Sequence, residues 1–250
     1  MRRLNKGRLL SIAISAAKLA GAYLCAQALK PKRVDAEALH DLKLRVDKGS
    51  ESIIVGYLRQ RSGFAVLSEE CGLLPGPEGD ANWIVDPLDG TINYFRGIPF
   101  SCVSIALWCQ GKALLGVVYD FNRDEIFSCI VAQGAYVNGR RIRVSSIDQK
   151  KNAILATGFP GKTDLSGRSI DKFARDVRAY KKPRLLGSAA LSLAYVASGR
   201  FDAYAERDIM LWDVAGGIAL IEAAGGKVRM IKAGHEYGYH VQACNSNFRM

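Results

Sequence analysis

Apolar and polar positions along the 250 residues change rhythm three times. From Leu9 to Leu29 apolar residues recur at helical spacing, with Ile12, Ala16, Leu19 and Tyr23 on one face. This predicts a first helix that Lys30-Pro31-Lys32 breaks. A second helix is predicted after Val46-Asp47-Lys48, through Ser50 to Gln60, with Ile53, Ile54, Tyr57 and Leu58 as its buried stripe. Ser50 or Asp47 is its expected cap. Shorter runs at strand spacing follow. Phe64-Ala65-Val66-Leu67 leads into Ser68-Glu69-Glu70, and Cys71 to Asn82, rich in Gly and Pro, reads as a surface loop. Beyond the strand at Trp83-Ile84-Val85, further strands are expected at Phe100 to Leu107, Ala113 to Tyr119 and Glu125 to Ile130. Turns at Gln110-Gly111-Lys112 and Asp120 to Asp124 separate them, and Asn138-Gly139 closes a hairpin between Ala135-Tyr136-Val137 and Arg140 to Val144. The whole reads as an antiparallel meander, not as βαβ units.

Polar residues from Ser145 to Lys151 interrupt that rhythm and suggest two halves, 1–147 and 148–250. In the second, Ala153 to Thr157 reads as a strand, Gly158 to Gly167 as a loop and Ser169 to Ala179 as a helix. Pro183 ends a basic stretch, and Leu185-Leu186 enters Gly187-Ser188-Ala189-Ala190. Those small residues suit either a helix entry whose N–H groups hold an anion or close helix packing. Leu191 to Ala197 continues as helix with Gly199 as its stop, and Phe201 to Ala205 is a strand ending at Glu206. Trp212-Asp213 opens an apolar helix through Ala223 that Gly225-Gly226 closes. Short strands are expected at Val228 to Ile231 and His240 to Ala243.

The chemistry concentrates at Trp83 to Thr91, where an apolar strand runs into Asp86-Pro87-Leu88-Asp89-Gly90-Thr91. Pro87 cannot be an interior rung of a sheet, and Gly90 permits the turn that returns Thr91 towards both aspartates. A rigid acidic loop repels itself unless a cation sits in it, and hard divalent ions suit oxygen ligands. Glu69 and Glu70 at one strand end and Asp213 in the first turn of a later helix add acids from distant parts of the chain. Asp213 there also complements the helix dipole.

These motifs resemble the inositol monophosphatase-like family of magnesium-dependent sugar-phosphate phosphatases. Trp83 to Thr91 matches its first signature; Trp212-Asp213-Val214-Ala215-Gly216-Gly217 through Glu222-Ala223-Ala224-Gly225-Gly226 matches its second. The resemblance covers nearly the whole chain. It implies an α/β (α+β) fold layered as an αβαβα sandwich, like fructose-1,6-bisphosphatase, and two or three Mg2+ ions. One ion would be held by Glu69, Asp86 and the Leu88 carbonyl, a second by Asp86, Asp89 and Asp213. Asp47 would be either a helix cap or the residue facing an outer magnesium site. Thr91 would orient the attacking water, aided by Glu69 and by Glu70 or Asp47. Leu88, Asp89, Gly90, Thr91, Arg184, Gly187, Ser188, Ala189, Glu206 and Asp213 would line the substrate.

Glu206 matches the family glutamate that accepts hydrogen bonds from ring hydroxyls, although Glu206-Arg207-Asp208 also reads as a plain polar loop. Met210-Leu211 stand where the family carries histidine or cysteine before the tryptophan. The leading function implied is hydrolysis of inositol 1-phosphate by in-line attack of water. Alternatives are fructose-1,6-bisphosphatase, histidinol-phosphatase and 3'(2'),5'-bisphosphate nucleotidase; outside enzymes stands an RNA-associated regulatory protein. The resemblance also implies a homodimer.

Composition changes this picture little. The apolar fraction of 49% argues for a packed globule, and six cysteines without paired spacing read mostly as apolar fillers in a reducing, cytoplasmic compartment. Lys18 interrupts the first helix, so no continuous apolar run reaches the ~18 residues of a membrane span and no membrane partner is expected. The formal charge of +11 comes without a sustained basic tract. It would draw phosphorylated substrates and leaves RNA association open. His40, His235 and His240 show no ligand spacing.

Overall fold

Asn5 starts the first element by accepting the Arg8 N–H on its side chain at 3.0 Å, four residues before the apolar pattern begins at Leu9. In this computed structural model, residues 4–30, 34–38, 41–77, 79–159 and 167–248 are described. The first helix, α1 (Lys6–Ala28), buries Ile12, Ala16, Ala20 and Leu24, whereas the expected Leu19 is 48% exposed. The buried stripe turns away from Leu19 because the sheet beneath accepts small residues: a Cβ on Gly21 would strike the Tyr119 ring. By length and composition α1 could cross a membrane, yet its apolar face forms part of a core. A short hairpin, β1 (Val34–Ala38) and β2 (Asp41–Leu44), precedes α2 (Arg45–Arg61); the sequence pattern had not signalled it.

α2 begins earlier than expected, so Asp47 lies in its first turn and Ser50 within it. Ser50 caps nothing: its hydroxyl donates to the Pro87 carbonyl at 2.7 Å, joining the helix to the acidic loop.

Eight strands form the first sheet: β3 (Ala65–Ser68), β4 (Gly72–Leu74), β5 (Ala81–Asp89), β6 (Cys102–Cys109), β7 (Lys112–Asp120), β8 (Glu125–Ile130), β9 (Gly134–Val137) and β10 (Arg140–Ile142). Their order is β10-β9-β8-β7-β6-β5-β3-β4, antiparallel except where β3 meets β5. β4 occupies part of the expected surface loop, pairing with β3 through its backbone. Pro87 lies inside β5, and the ladder yields to it. Asp86 pairs Ser104 and Asp89 pairs Cys102, three steps against two, so a bulge spares Pro87 the N–H it lacks. The hairpin turn has Asn138 at φ 47° and Gly139 at φ 77°, the left-handed pair that a two-residue turn requires. A short helix, α3 (Thr91–Arg96), follows the acidic loop where only a turn was expected.

The second sheet runs β12-β11-β13-β15-β14, with β11 (Ile154–Thr157), β12 (Lys182–Arg184), β13 (Ala203–Met210), β14 (Lys227–Lys232) and β15 (Gly238–Cys244). β12 is an edge strand that its proline and charges concealed. α4 (Gly167–Arg178) precedes it, and α5 (Ala189–Ala197) and α6 (Leu211–Ala223) lie between the two sheets. The close approach of α6 needs glycine: a Cβ on Gly116 would lie 2.6 Å from the Gly216 carbonyl oxygen.

The layers are therefore α1 and α2, the first sheet, α5 and α6, the second sheet, and α4, the αβαβα order expected. The largest core cluster draws on both sheets, from Leu67 and Phe127 to Tyr204 and Val241. Cys102, Cys129 and Cys244 are buried fillers, but Cys25 and Cys71 are exposed, and all six thiols are free. His40 and the loop from 160 to 166 lie outside the described residues.

Candidate active site

The bulge that accommodates Pro87 leaves Asp86 and Asp89 buried at 1% and 8% exposure. Asp86 Oδ1 accepts the Leu88 N–H at 3.0 Å, which folds the loop around its own carboxylate. Gly90, at φ 86°, makes the turn; any Cβ there would lie 2.9 Å from the Phe100 carbonyl oxygen. Thr91 opens α3, and its hydroxyl donates to the Leu88 carbonyl at 3.0 Å. Its lone pairs remain suited to accepting from water.

Asp89 reaches the start of α5. Its carboxylate accepts from the Ser188 hydroxyl, from the Ala190 N–H at 2.7 Å and from the Ala189 N–H at 3.3 Å. The helix entry that sequence left open as anion site or packing device thus holds an anion, one supplied by the protein. Asn93 ties the two loops together, its amide donating to the carbonyls of Phe100 at 2.8 Å and Leu186 at 2.6 Å.

Asp213 lies in the first turn of α6 as expected, its Oδ2 accepting the Met210 N–H at 3.1 Å. Burial, followed by the negative charge of Glu69, Asp89 and Asp213, holds Asp86 well above the ordinary carboxylate range. Asp213 is raised in the same direction by burial and by Glu69, Asp89 and Glu206. Asp89 is raised by burial against the opposing pull of its Ser188, Ala190 and Ala189 donors. Glu69, Asp86, Asp89 and Asp213, from three separate parts of the chain, therefore feel one another's charge.

That is the electrostatic condition a divalent cation relieves, and the donors are hard oxygens. Among the described residues, no three His, Cys, Asp or Glu side chains already stand as a closed coordination cluster. The aspartates are instead held by backbone N–H groups. The donor chemistry and the repulsion among these residues fit Mg2+, with Glu69, Asp86, Asp89, Asp213 and the Leu88 carbonyl as the groups able to hold it.

Other expected residues divide. Asp47 is buried on α2, at 4% exposure. Glu70 follows Glu69 in a turn whose N–H groups, from Glu70 and Cys71, both donate to Glu51 Oε1 at 3.1 Å. Gly187, at φ 72°, packs against the Asn93 amide. Glu206 is no plain surface loop: it sits on β13, and the Tyr204 hydroxyl donates to its Oε2 at 2.8 Å. Burial pushes its carboxyl up to about 7, against the Tyr204 and Gly158 donors, with Asp89 adding to the rise. Arg184 stands apart on exposed β12, its guanidinium turned back to the Pro183 carbonyl at 2.9 Å.

Sequence reasoning missed Glu51, Asn93 and Tyr204, and gave Ser50 a capping role in place of its bond to Pro87. Of the three, Glu51 left a trace, one helical turn after Asp47 on the same face.

The family model for the Inositol monophosphatase family matches residues 5–247. The chain is 37% identical over 236 residues to the Nus factor SuhB of Escherichia coli strain K12, covering 92% of this chain and 87% of that protein. It is 36% identical over 236 residues to an inositol-1-monophosphatase of Mesorhizobium japonicum, covering 92% and 88%. Among solved structures, the extragenic suppressor protein suhB of Bartonella henselae aligns with a TM-score of 0.86 at 34% identity, over 96% of this chain and 95% of that one.

Proposed function

From the premise that this chain belongs to the inositol monophosphatase family, we propose that it is a magnesium-dependent phosphomonoesterase whose preferred substrate is an inositol monophosphate. Family membership carries the coarser statement, metal-dependent phosphomonoester hydrolysis. The choice of a polyol rests on one observation. Glu206 is half-buried beside the acidic centre, close enough to feel the charge of Asp89, with a tyrosine hydroxyl fixing one of its oxygens.

When bound, Mg2+ supplies a nucleophilic water at neutral pH and neutralises the transferring phosphoryl oxygens. The residues named above divide the remaining work. Glu69, Asp86, Asp89, Asp213 and the Leu88 carbonyl would hold the cations. Thr91, anchored on the Leu88 carbonyl, accepts a hydrogen bond from the attacking water and so aims it at phosphorus. Glu69, with Glu70 or Asp47, takes the proton that water loses. Asp89 and the Gly187-Ser188-Ala189 entry border the polyol, and Glu206 accepts from its hydroxyls. A substrate lacking those hydroxyls leaves the Glu206 carboxylate with its protein donors alone and its remaining acceptor capacity unmet, which is how the site would discriminate. Arg184 would serve only from the rim. The same reading assigns a homodimer in the cytoplasm, a compartment that suits six free thiols.

A second reading, an RNA-associated regulatory protein, draws support from the formal charge of +11 and from a relative named as a Nus factor rather than as an enzyme. A phosphate-release panel with Mg2+ separates the two. Inositol 1-phosphate should be hydrolysed faster than fructose 1,6-bisphosphate, histidinol phosphate and adenosine 3',5'-bisphosphate. Glu206→Gln should penalise the inositol ester most. Equal losses across the panel would remove the polyol assignment. Salt-sensitive RNA binding with no magnesium-dependent phosphate release would favour the second reading.

A further inference from the structure

Ser188 belongs to two structures at once. It caps α5: its hydroxyl oxygen accepts the Leu191 N–H at 3.3 Å, and its carbonyl accepts the Ser192 N–H at 3.2 Å and the Ser192 hydroxyl at 2.6 Å. It also meets the acidic loop, 99 residues away in the chain, by donating its hydroxyl proton to Asp89 Oδ2. The Ala190 N–H donates to the same oxygen at 2.7 Å. Behind both lies Cys102, fully buried on β6 as the ladder partner of Asp89. Its Sγ is 3.6 Å from Asp89 Oδ2 and 3.8 Å from Ser188 Oγ.

A serine hydroxyl has one proton and two lone pairs. Here the proton goes to Asp89 and a lone pair to Leu191, and at 4% exposure the side chain is closed off from solvent. What this stretch offers a substrate is therefore backbone, at Gly187 and Ala189. The carboxylate is divided unevenly. Oδ2 takes two strong donors and the weak thiol, whereas Oδ1 takes only the Ala189 N–H at 3.3 Å. Pinning one oxygen of a carboxylate aims the other.

We propose that Ser188 is the positioning residue for Asp89: it pins Oδ2 against α5 so that Oδ1 is the oxygen offered to a cation. It acts through metal affinity, not through contact with the substrate. The inference rests on the magnesium-dependent reading of the acidic centre. Cys102 supports the same oxygen to a lesser degree. A capping role alone predicts something different, lost stability with the metal affinity of the folded protein unchanged.

The test is calorimetric titration of the full chain with Mg2+, followed by phosphate release from inositol 1-phosphate across a range of magnesium concentrations. Ser188→Ala should weaken Mg2+ binding by about 10–100-fold and raise the magnesium needed for half-maximal rate in step. The KM for the ester at saturating magnesium should stay within about twofold. Ser188→Gly separates the two roles, because glycine caps a helix nearly as well as serine but has no proton for Asp89. It should lose the same affinity with little change in Tm, and it still decides should the alanine variant fail to fold. Ser188→Thr, which keeps the hydroxyl, should return affinity to within about threefold of wild type, and Cys102→Ala should cost no more than about threefold. Mg2+ binding indifferent to both Ser188→Ala and Ser188→Gly, or a rise confined to the KM for the ester, would overturn the proposal and leave the phosphatase reading standing. No Mg2+ binding by the wild-type chain would overturn both.

Discussion

The side-chain amide of Asn93 donates to the Leu186 carbonyl at 2.6 Å and so fastens the acidic loop of the first sheet to the entry of α5. The same amide holds the Phe100 carbonyl, and the Gly187 turn packs against it. One buried residue thereby sets the distance between Asp89, which the first sheet carries, and the Ser188–Ala190 donors that belong to the layer between the sheets.

Asn93→Ala should therefore do more than lower stability. Two carbonyls lose their partner at a cost of about 1–3 kcal/mol. Asp89 should also lose its register with α5, so kcat should fall while the KM for magnesium rises. Thermal unfolding and magnesium-dependent phosphate release measure the two separately. Loss of stability with an unchanged magnesium requirement would mean that Asn93 only glues the layers together.

Asp86→Asn should move stability and activity in opposite directions. In the metal-free protein it removes a buried charge that Glu69, Asp89 and Asp213 oppose, so Tm should rise by about 3 °C for each ~1 kcal/mol of repulsion relieved. Phosphate release should fall by on the order of 10²–10³-fold, because a carboxylate that would hold the cations is gone. A variant both less stable and fully active would refute the convergence of these acids on one ion site.

Glu51 is expected to act through the turn it holds. Glu51→Ala leaves the Glu70 and Cys71 N–H groups without their acceptor and frees the turn that carries Glu69. Outer groups of this kind typically change metal affinity by about 10–100-fold. Calorimetric titration with Mg2+ should show such a loss, and Glu51→Gln, which keeps an acceptor oxygen, should recover part of it. Equal affinity in all three proteins would leave Glu51 a purely structural residue.

What could be read from the sequence was local. The acidic loop announces itself because strand, proline, glycine and carboxylates are contiguous, and Asn138-Gly139 names its own turn. The residues that brace the loop were illegible because their partners are distant: Ser50 lies 37 residues from Pro87, and Asn93 lies 93 from Leu186. Hydrophobic periodicity predicts which face is buried but not against what, so α1 was assigned a stripe containing Leu19. Short elements failed for another reason. α3 has six residues and β12 three, too few for any period to show. Glu206 read also as a loop residue because only the bulge in β13 between Glu206 and Ile209 explains charged residues within a strand.

Glu206 also makes a prediction about pH. Its carboxyl is raised from the 4.5 of a solvated glutamate to about 7, chiefly by burial. The folded protein therefore binds this proton more tightly than the unfolded chain does. Below pH ~4.5 both states hold it and stability is unaffected; between ~4.5 and ~7 the unfolded chain loses it first, and the folded state becomes relatively less stable as pH rises. The full effect is about 3 kcal/mol, reached above pH ~7. Glu206→Gln removes the titration while keeping an oxygen for Tyr204, so metal-free denaturation followed across this window should have a visibly flatter slope in the variant. The other raised carboxylates add a fall of the same sign in both proteins, and the difference between the two curves isolates Glu206. Parallel curves would mean that the carboxyl titrates as it does in water, and the desolvated acceptor proposed for a substrate hydroxyl would go with it.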